Sequence, residues 1–226
     1  MTENANQVKS KKRVADHGEV FTADREVNAM LDLVKDETER IDSRFLEPAC
    51  GNGNFLAEVL RRKLSIVKKR YGKSPSDYER NAFLAVSSIY GVELLSDNAE
   101  ECRERLFNIL NEEYVLAFKK KTDDIYSDSI RYVLERNILC GDALTLKRGD
   151  GEPIIFSEWN MVSGNMVSRR DYRLDQLLEA KEEQISISML GWEYDNELKS
   201  FIPSPIKEYP LIDYRKVREH ADFKSQ

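Results

Sequence analysis

The segment RFLEPACGNGNFLAEVLRRKL, residues 44–64, decides the fold. It begins with a short extended run, Arg44–Leu46, which leads into a turn that contains two glycines. After the turn, apolar residues return at the spacing of one helical face. They are Leu56, Val59, Leu60, Leu64 and Val67. A strand, a glycine turn and a helix in this order form the first half of an α/β unit.

Two more strand-like runs follow along the chain, IYGVEL at residues 89–94 and NILCGDAL at residues 137–144. Helical patterns over residues 77–86 and 99–118 lie between the predicted strands. Strands that alternate with helices are typical of a parallel sheet with right-handed crossovers. The sequence therefore predicts an α/β fold with a mostly parallel sheet flanked by helices.

The last third of the chain has a less regular pattern. Residues 154–156, residues 159–162 and the run ISISML at 185–190 are predicted strands, and residues 171–182 are a predicted helix. From Gly191 onward, aromatic residues alternate as they do in a hairpin.

Composition excludes several classes of protein. The 35 Lys and Arg residues against 41 Asp and Glu residues give a net charge of −6, which excludes a protein that coats nucleic acid by charge alone. The apolar runs are short, so neither a membrane span nor a signal peptide is expected. The three cysteines are far apart and there are only two histidines, so we expect no metal site, no disulfide and a reducing, cytoplasmic setting.

The glycine turn narrows the choice of ligand. A dinucleotide-binding turn needs a third glycine where this chain has Leu56, and a phosphate-binding loop needs a Lys that is absent here. An acidic residue after the second strand, Glu93, can accept hydrogen bonds from ribose hydroxyls. Asp142, after the third strand, can accept one from an exocyclic adenine amine. Together these residues favour an adenosine-type ligand without a pyrophosphate.

These residues resemble the S-adenosylmethionine-dependent DNA adenine-N6 methyltransferases of restriction–modification systems. EPACGNGNFL at residues 47–56 is similar to the first cofactor motif of that family, and HGEVFTADREVNAML at residues 17–31 is similar to its N-terminal cofactor motif. The resemblance runs from about residue 14 to about residue 168. It implies a Rossmann-like methyltransferase fold and S-adenosyl-L-methionine as cofactor. The cofactor-binding residues that it implies are Phe21, Thr22, Glu47, Ala49, Cys50, Gly51, Gly53, Phe55, Glu93, Leu94, Asp142 and Ala143.

The catalytic motif of the same family is altered. Adenine-N6 enzymes carry Asn/Asp/Ser-Pro-Pro-Tyr/Phe after the fourth strand, and they act on a base that is rotated out of the duplex. Here the predicted fourth strand, WNMVSGN, places Asn165, Met166, Val167 and Ser168 at the four positions. Asn165 can accept an amine proton as a catalytic residue, or it can simply close a turn. The prolines and the aromatic ring are missing, so self-sufficient methyl transfer is not expected.

Composition and length, together with the resemblance, predict how the chain is organised. We expect a flexible basic tail over residues 1–13, a cofactor-binding domain over 14–190 and an aromatic, proline-containing extension over 191–226 that packs on the same domain. The chain is too short for a full methyltransferase sheet with a recognition domain, so the fold is expected to be truncated on its C-terminal side. DNA binding would then come mainly through a second polypeptide, such as a restriction–modification specificity subunit. Arg169–Arg170 and Lys9–Arg13 are candidate DNA contacts or simply solvated charges.

Three functions remain open at this stage. The first is a DNA adenine-N6 methyltransferase-like protein, active alone or with a partner. The second is a catalytically silent, cofactor-binding pseudoenzyme that regulates or scaffolds a restriction–modification or phage-defence partner. The third is a methyltransferase that acts on an acceptor other than a DNA base, because fold resemblance alone does not determine function.

Overall fold

The structure is a computed structural model, and it describes residues 9–179, 192–195 and 200–223. Helices and strands alternate over the first two thirds of this part, and strands dominate the remainder. In chain order the elements are α1 (Lys11–His17), α2 (Asp24–Leu33), α3 (Lys35–Thr38), β1 (Phe45–Glu47), α4 (Asn54–Tyr71), α5 (Pro75–Ser87), β2 (Ile89–Glu93), α6 (Ser96–Phe118), α7 (Asp124–Asn137), β3 (Ile138–Cys140), β4 (Ile155–Ser163), β5 (Met166–Arg173), α8 (Leu174–Glu179), β6 (Trp192–Asp195), β7 (Ser200–Pro203), β8 (Lys207–Glu208), β9 (Ile212–Asp213) and a 3₁₀ helix (Tyr214–Asp222).

Three strands form the predicted parallel sheet, in the order β1-β2-β3. Phe45 pairs with Ile89 on one side of the central strand, and Gly91 pairs with Ile138 on the other. Helices connect the strands, so the α/β class with a parallel sheet is confirmed. The architecture is compatible with a Rossmann-like fold. Among the described residues no further strand joins this sheet.

The central strand β2 is buried on both faces, because successive side chains of a strand point in opposite directions. Ile89 belongs to the large core that the helices build on one face. Tyr90 and Val92 belong to a second apolar cluster on the other face, with Ile154 and Phe156. This two-sided burial explains why the residues of β2 before Glu93 do not alternate between apolar and polar.

Two of the long helices, α5 and α7, start at a side-chain cap. Ser74 caps α5 by accepting a hydrogen bond from the Asp77 N–H, and Pro75 occupies the first helical position, where no N–H is needed. Asp123 caps α7 in the same way through the Tyr126 N–H. Helix α4 differs, because it begins at Gly53 without a side-chain cap.

The fourth strand does not continue the parallel sheet, so the predicted position of WNMVSGN is wrong. β4 pairs with β5 in an antiparallel hairpin that belongs to a separate sheet. A Cβ on Gly141, at the end of β3, would lie 2.8 Å from Ile154, just before β4. Farther along, Trp159 donates to Asn137, which precedes β3. β4 therefore runs against the direction of the parallel strands, and its hairpin turn lies beyond their amino ends.

The C-terminal part of the described chain completes the second sheet. β8 and β9 both pair with β5, and residues 171–173 are strand rather than the predicted helix. The 3₁₀ helix packs on α7, with Tyr214 buried between Phe83 and Tyr126. β6 and β7 form the predicted hairpin. The predicted strand at 185–190 lies outside the described residues.

The N-terminal residues that the structure describes are not a free tail. Ser10 caps α1 through the Arg13 N–H, and Gly18 ends this helix in the left-handed conformation with φ +65°. Lys9 and Arg13 form ion pairs with carboxylates of α6. The predicted boundary at residue 13 is therefore wrong for residues 9–13, and residues 1–8 lie outside the described part. None of the described helices is both long and apolar enough to cross a membrane.

Candidate functional site

A cavity of about 680 Å³ lies at the carboxyl ends of β1, β2 and β3. This edge is where ligands of open α/β sheets bind, because the loops that leave parallel strands meet there. Four segments line the cavity: residues 18–22, 47–55, 93–98 and 141–144. Apart from Gly53, the lining includes every residue that the sequence resemblance assigns to the cofactor.

The two glycines of the turn have different roles. Gly51 has φ +53°, and a Cβ there would lie 3.1 Å from the ring of Phe21, so the turn and the N-terminal segment approach closely. Gly53 has φ +85°, and its Cβ would lie 2.6 Å from the Cys102 sulfur on α6. Gly53 therefore lets α4 pack against α6, and the structure does not bring it to the cavity.

Glu93 holds the turn in place from the end of β2. Its Oε2 accepts a hydrogen bond from the Gly51 N–H at 2.9 Å, and its Oε1 accepts from the Leu95 N–H at 3.0 Å and from the Asn98 amide at 3.3 Å. A carboxylate has about four acceptor positions, so one remains for a ligand hydroxyl. The side chain is 8% exposed, which limits competition from water.

Glu47 is the carboxylate in this cavity that the protein does not satisfy. Its Oε2 is buried and has no hydrogen-bond partner. Burial raises the pKa of Glu47 to about 7, because the charged form loses solvent without gaining a partner. A ligand that donates hydrogen bonds or carries positive charge at this point would remove the cost.

The amino end of α4 also lines the cavity. Its first-turn residues Asn54 and Phe55 line the wall, and the helix start has no side-chain cap. Unpaired N–H groups at a helix start favour a carboxylate. Asn52 beside them has a buried Oδ1 without a hydrogen-bond partner. The cavity wall therefore includes both a carboxylate, Glu47, and a helix start that attracts one.

The third loop contributes Asp142 and apolar surface. Asp142 Oδ1 accepts a hydrogen bond from the Leu144 N–H at 2.8 Å, and this bond lowers the pKa of Asp142. Leu144 is 95% exposed, and Leu94 on the facing loop is 56% exposed. Two exposed leucines around Ala143 offer flat contacts to a planar apolar group.

The charge of the cavity is one-sided. Four carboxylates line it, from Glu19, Glu47, Glu93 and Asp142. Among the residues that form its wall there is no Lys or Arg. Arg13 compensates Glu19 from outside the wall, and the other three carboxylates favour a cationic ligand over a phosphorylated one. Cys50 also lines the cavity, but its hydrogen bond with Cys102 and its burial raise the pKa of the thiol, so Cys50 is a packing residue rather than a nucleophile.

The altered catalytic motif does not reach the cavity. Gly164 and Asn165 form the turn between β4 and β5, beyond the amino ends of the parallel strands. The Asn165 carbonyl accepts a hydrogen bond from the Tyr214 N–H, as expected of a residue that closes a turn. Met166, Val167 and Ser168 belong to β5, and Val167 is fully buried. A catalytic role for Asn165 at this cavity is therefore contradicted by the direction of β4.

Four of the candidate DNA contacts are engaged within the protein, whereas Lys11 and Lys12 of the same predicted run are exposed. Arg169 is 3% exposed and makes a two-pronged salt bridge with Asp171, so it is not available to DNA. Arg170 pairs with Glu208 on β8. Lys9 and Arg13 pair with acidic residues of the same chain. No freely presented basic patch results from these four residues.

Ten lining residues lie outside the predicted set, and two of them, Glu19 and Asn98, are linked to Glu93. Glu19 lies in the quoted N-terminal motif, but no pattern assigns it a position in the wall. Asn98 is on α6, five residues after Glu93, where a polar residue near a helix start is unremarkable. Only the fold shows that the Asn98 amide contacts both Glu19 and Glu93.

No protein family, curated protein or solved structure matches this chain. In the part of the chain that the structure describes, no group of three or more His, Cys, Asp or Glu residues could hold a metal ion. The chemistry of the cavity residues therefore carries the functional assignment.

Proposed function

We propose that the cavity binds S-adenosylmethionine. The observation that carries this proposal is a wall of four carboxylates and no cation among its residues, at the carboxyl ends of a parallel sheet and beside a glycine turn. S-adenosylmethionine has a sulfonium, an ammonium and one carboxylate, so its net charge is positive. Its charge and that of the wall are complementary.

The residues fit the parts of this molecule. Glu93 would accept a hydrogen bond from one ribose hydroxyl at its remaining acceptor position, and Glu47 would pair with the ammonium, which satisfies its unpartnered oxygen. The uncapped start of α4 would receive the carboxylate. Leu94 and Leu144 would cover the adenine ring, whose amine would donate to Asp142.

The same wall disfavours the other common adenosine ligands. Dinucleotides and nucleoside triphosphates carry several negative charges, which proteins normally meet with cationic side chains or a longer glycine-rich loop. Here those charges would face carboxylates. The cavity is therefore proposed to reject ATP and NAD.

Within this proposal, the chain alone is not a DNA adenine methyltransferase. Bound S-adenosylmethionine supplies a methyl group on a sulfonium, but an acceptor must still be held next to it. Asn165 lies at the other end of the sheet, so the adenine-binding loop of the resembling family has no counterpart at the cavity. We propose a cofactor-binding protein that acts with a restriction–modification or phage-defence partner, and DNA methylation would need that partner to supply the acceptor site.

Isothermal titration calorimetry tests the binding proposal. We expect heat from S-adenosylmethionine with micromolar affinity, about tenfold weaker binding of the uncharged-sulfur product S-adenosylhomocysteine, and no heat from ATP or NAD. If S-adenosylmethionine at about 1 mM gives no heat, its binding free energy is less than about 4 kcal/mol. That result would rule the proposal out.

A methyl-transfer assay tests the second part. Protein, labelled S-adenosylmethionine and duplex DNA of mixed sequence are incubated with and without the neighbouring gene product. We expect no label in DNA from the lone chain. Transfer to adenine by the lone chain would show that an acceptor site exists at the cavity in spite of the position of Asn165.

A further inference from the structure

A polar network connects the N-terminal segment to the cavity. We call residues 9–22 the arm. Arg13 makes a two-pronged salt bridge with Glu19, with both N–O distances 2.7 Å, and a second salt bridge with Asp97 on α6 at 2.6 Å. Lys9 pairs with Glu101 on α6 at 2.5 Å. Two cations therefore fasten the arm to α6.

Asn98 is the centre of this network. It is 1% exposed, and its Nδ2 donates to Glu19 at 2.6 Å and to Glu93 at 3.3 Å. Its Oδ1 accepts a hydrogen bond from Lys9 at 2.6 Å. One side-chain amide thus contacts a cation and a carboxylate of the arm, together with the carboxylate at the end of β2.

Asn98 lies between two carboxylates that repel each other, Glu19 and Glu93. Glu19 and Glu93 bond to the same amide nitrogen, so two carboxylates lie close together at a site with little access for water. The amide donates to both, and Arg13 compensates Glu19 from the other side and lowers its pKa. Without the amide, the two carboxylates would face each other with no donor between them.

Asn98 is not needed to hold Glu93 at the turn. The Gly51 and Leu95 N–H groups already donate to that carboxylate, one to each oxygen. The contact that Asn98 adds is the one toward the arm. The arm in turn supplies Gly18, Glu19, Val20, Phe21 and Thr22 to the cavity wall.

We infer that Asn98 is a positioning residue that couples closure of the arm to ligand binding at Glu93. The ligand half of this inference rests on the proposed function. A ligand that engages Glu93 fixes the carboxylate against Asn98, and Asn98 then holds the arm closed through Glu19 and Lys9. Because coupling between two equilibria is reciprocal, a closed arm also strengthens ligand binding.

Hydrogen exchange in the ligand-free protein tests the coupling without any cofactor. Amides of the arm are followed by mass spectrometry in the wild type, Glu93→Gln, Asn98→Ala and the double variant. We expect Glu93→Gln to speed arm exchange about fivefold when Asn98 is present, because a neutral side chain is a weaker acceptor for the Asn98 amide, and to slow it when Asn98 is absent, because the substitution removes the repulsion from Glu19. Equal effects of Glu93→Gln in both backgrounds would overturn the inference.

Two matched variants control for the helix itself. Asn108→Ala makes the same change at an exposed position of α6. Arg131→Gln removes a cation of α7 that pairs with Glu104 on α6, away from the arm. Neither should alter arm exchange. Far-UV circular dichroism during heating confirms that all variants are folded at the temperature of the exchange experiment.

Titration with S-adenosylmethionine tests the ligand half. We expect Asn98→Ala and Arg13→Gln each to weaken binding about fivefold, and the double variant to be no weaker than either one. Additive losses would show two independent contacts and no coupling. If the wild type does not bind the cofactor, the proposed function fails, whereas the ligand-free exchange result still decides the coupling.

Discussion

The polar residues at the two ends of the three-stranded sheet differ in whether the protein satisfies their hydrogen bonds. At the carboxyl end, Glu47 and Asn52 each keep a buried oxygen without a hydrogen-bond partner. At the amino end, fully buried Lys63 donates to the carbonyls of Ile41 and Ser43 and to the hydroxyl of Ser88. Glu47 and Asn52 therefore keep acceptors for a ligand, whereas Lys63 is satisfied by the protein itself.

This difference separates buried polar residues that stabilise the fold from those that are candidates for ligand binding. Buried polar groups in proteins are nearly always hydrogen-bonded, because an unpartnered one is costly. Asn137 follows the rule, since its amide donates to Ser87 and Ile89 and accepts from Trp159. Glu47 departs from it at the place where a ligand would bind. Substitutions at the amino end are therefore expected to lower the free energy of unfolding, and substitutions at the carboxyl end are expected to lower ligand affinity.

The largest expected effect is on stability at the amino end. Trp159 is 4% exposed, packs edge-on against Phe83 and Tyr132, and donates to Asn137. Trp159→Ala should lower the free energy of unfolding by about 3 to 5 kcal/mol, measured by urea denaturation.

The control for Trp159→Ala is Val162→Ala, at an exposed position on the same strand, which should stay within about 0.5 kcal/mol of the wild type. The folded Trp159→Ala protein should bind S-adenosylmethionine with wild-type affinity. A large loss of affinity would mean that the two ends are not separate in function.

The next effect is on affinity at the carboxyl end. Glu47→Gln should weaken S-adenosylmethionine binding at pH 8 about tenfold, because the ligand ammonium loses its charged partner. Calorimetry measures the change. Glu152→Gln, at an exposed position in the loop before β4, is the matched control and should bind as the wild type does. Unchanged affinity in Glu47→Gln would remove Glu47 from the site.

The pH dependence of the free energy of unfolding tests the Glu47 carboxylate in the absence of ligand. The pKa of Glu47 is about 7 in the folded protein and near 4.5 in the unfolded chain. Its contribution to stability is therefore complete below pH 4.5 and is lost as the pH rises through 7. Between pH 5 and pH 8 the wild type should lose about 1 to 3 kcal/mol relative to Glu47→Gln, measured by urea denaturation. Parallel curves for the two proteins would show that this carboxyl group is solvated.

A smaller effect is expected at the third loop. Asp142→Ala should weaken S-adenosylmethionine binding about fivefold, because one hydrogen bond to the adenine amine is lost, and should leave the fold intact. Asp150→Ala, on the neighbouring turn, removes an exposed partner of Arg148 and should leave affinity unchanged. Equal affinity of the Asp142 variant and the wild type would end the adenine-binding role of Asp142.

The smallest effect concerns the predicted catalytic position. Asn165→Ala should change neither cofactor affinity nor, by more than about 0.5 kcal/mol, the free energy of unfolding, because only its backbone carbonyl makes a hydrogen bond. Calorimetry and urea denaturation measure the two quantities. A tenfold loss of affinity in this variant would connect the hairpin turn to the cavity after all.

Much of the cavity could be predicted from the sequence because its signals are local. The glycine turn after a strand, Glu93 at the end of β2 and Asp142 after β3 each occupy a position that strand and helix periodicity defines. Parallel strands then bring their carboxyl ends together whatever the rest of the chain does. The Lys63 and Asn137 contacts could not be predicted in this way, because each connects residues that are far apart in sequence.

What the sequence by itself determined is the order of strand, turn and helix and the residues at the ends of the parallel strands. Only the tertiary structure decided the direction of β4, which puts Asn165 at the opposite end, and the meeting of Asn98 with Glu19 and Glu93. The physical reason is that an apolar run forms a strand equally well in a parallel or an antiparallel neighbourhood. Its direction depends on which distant faces it buries, and no local pattern records that choice.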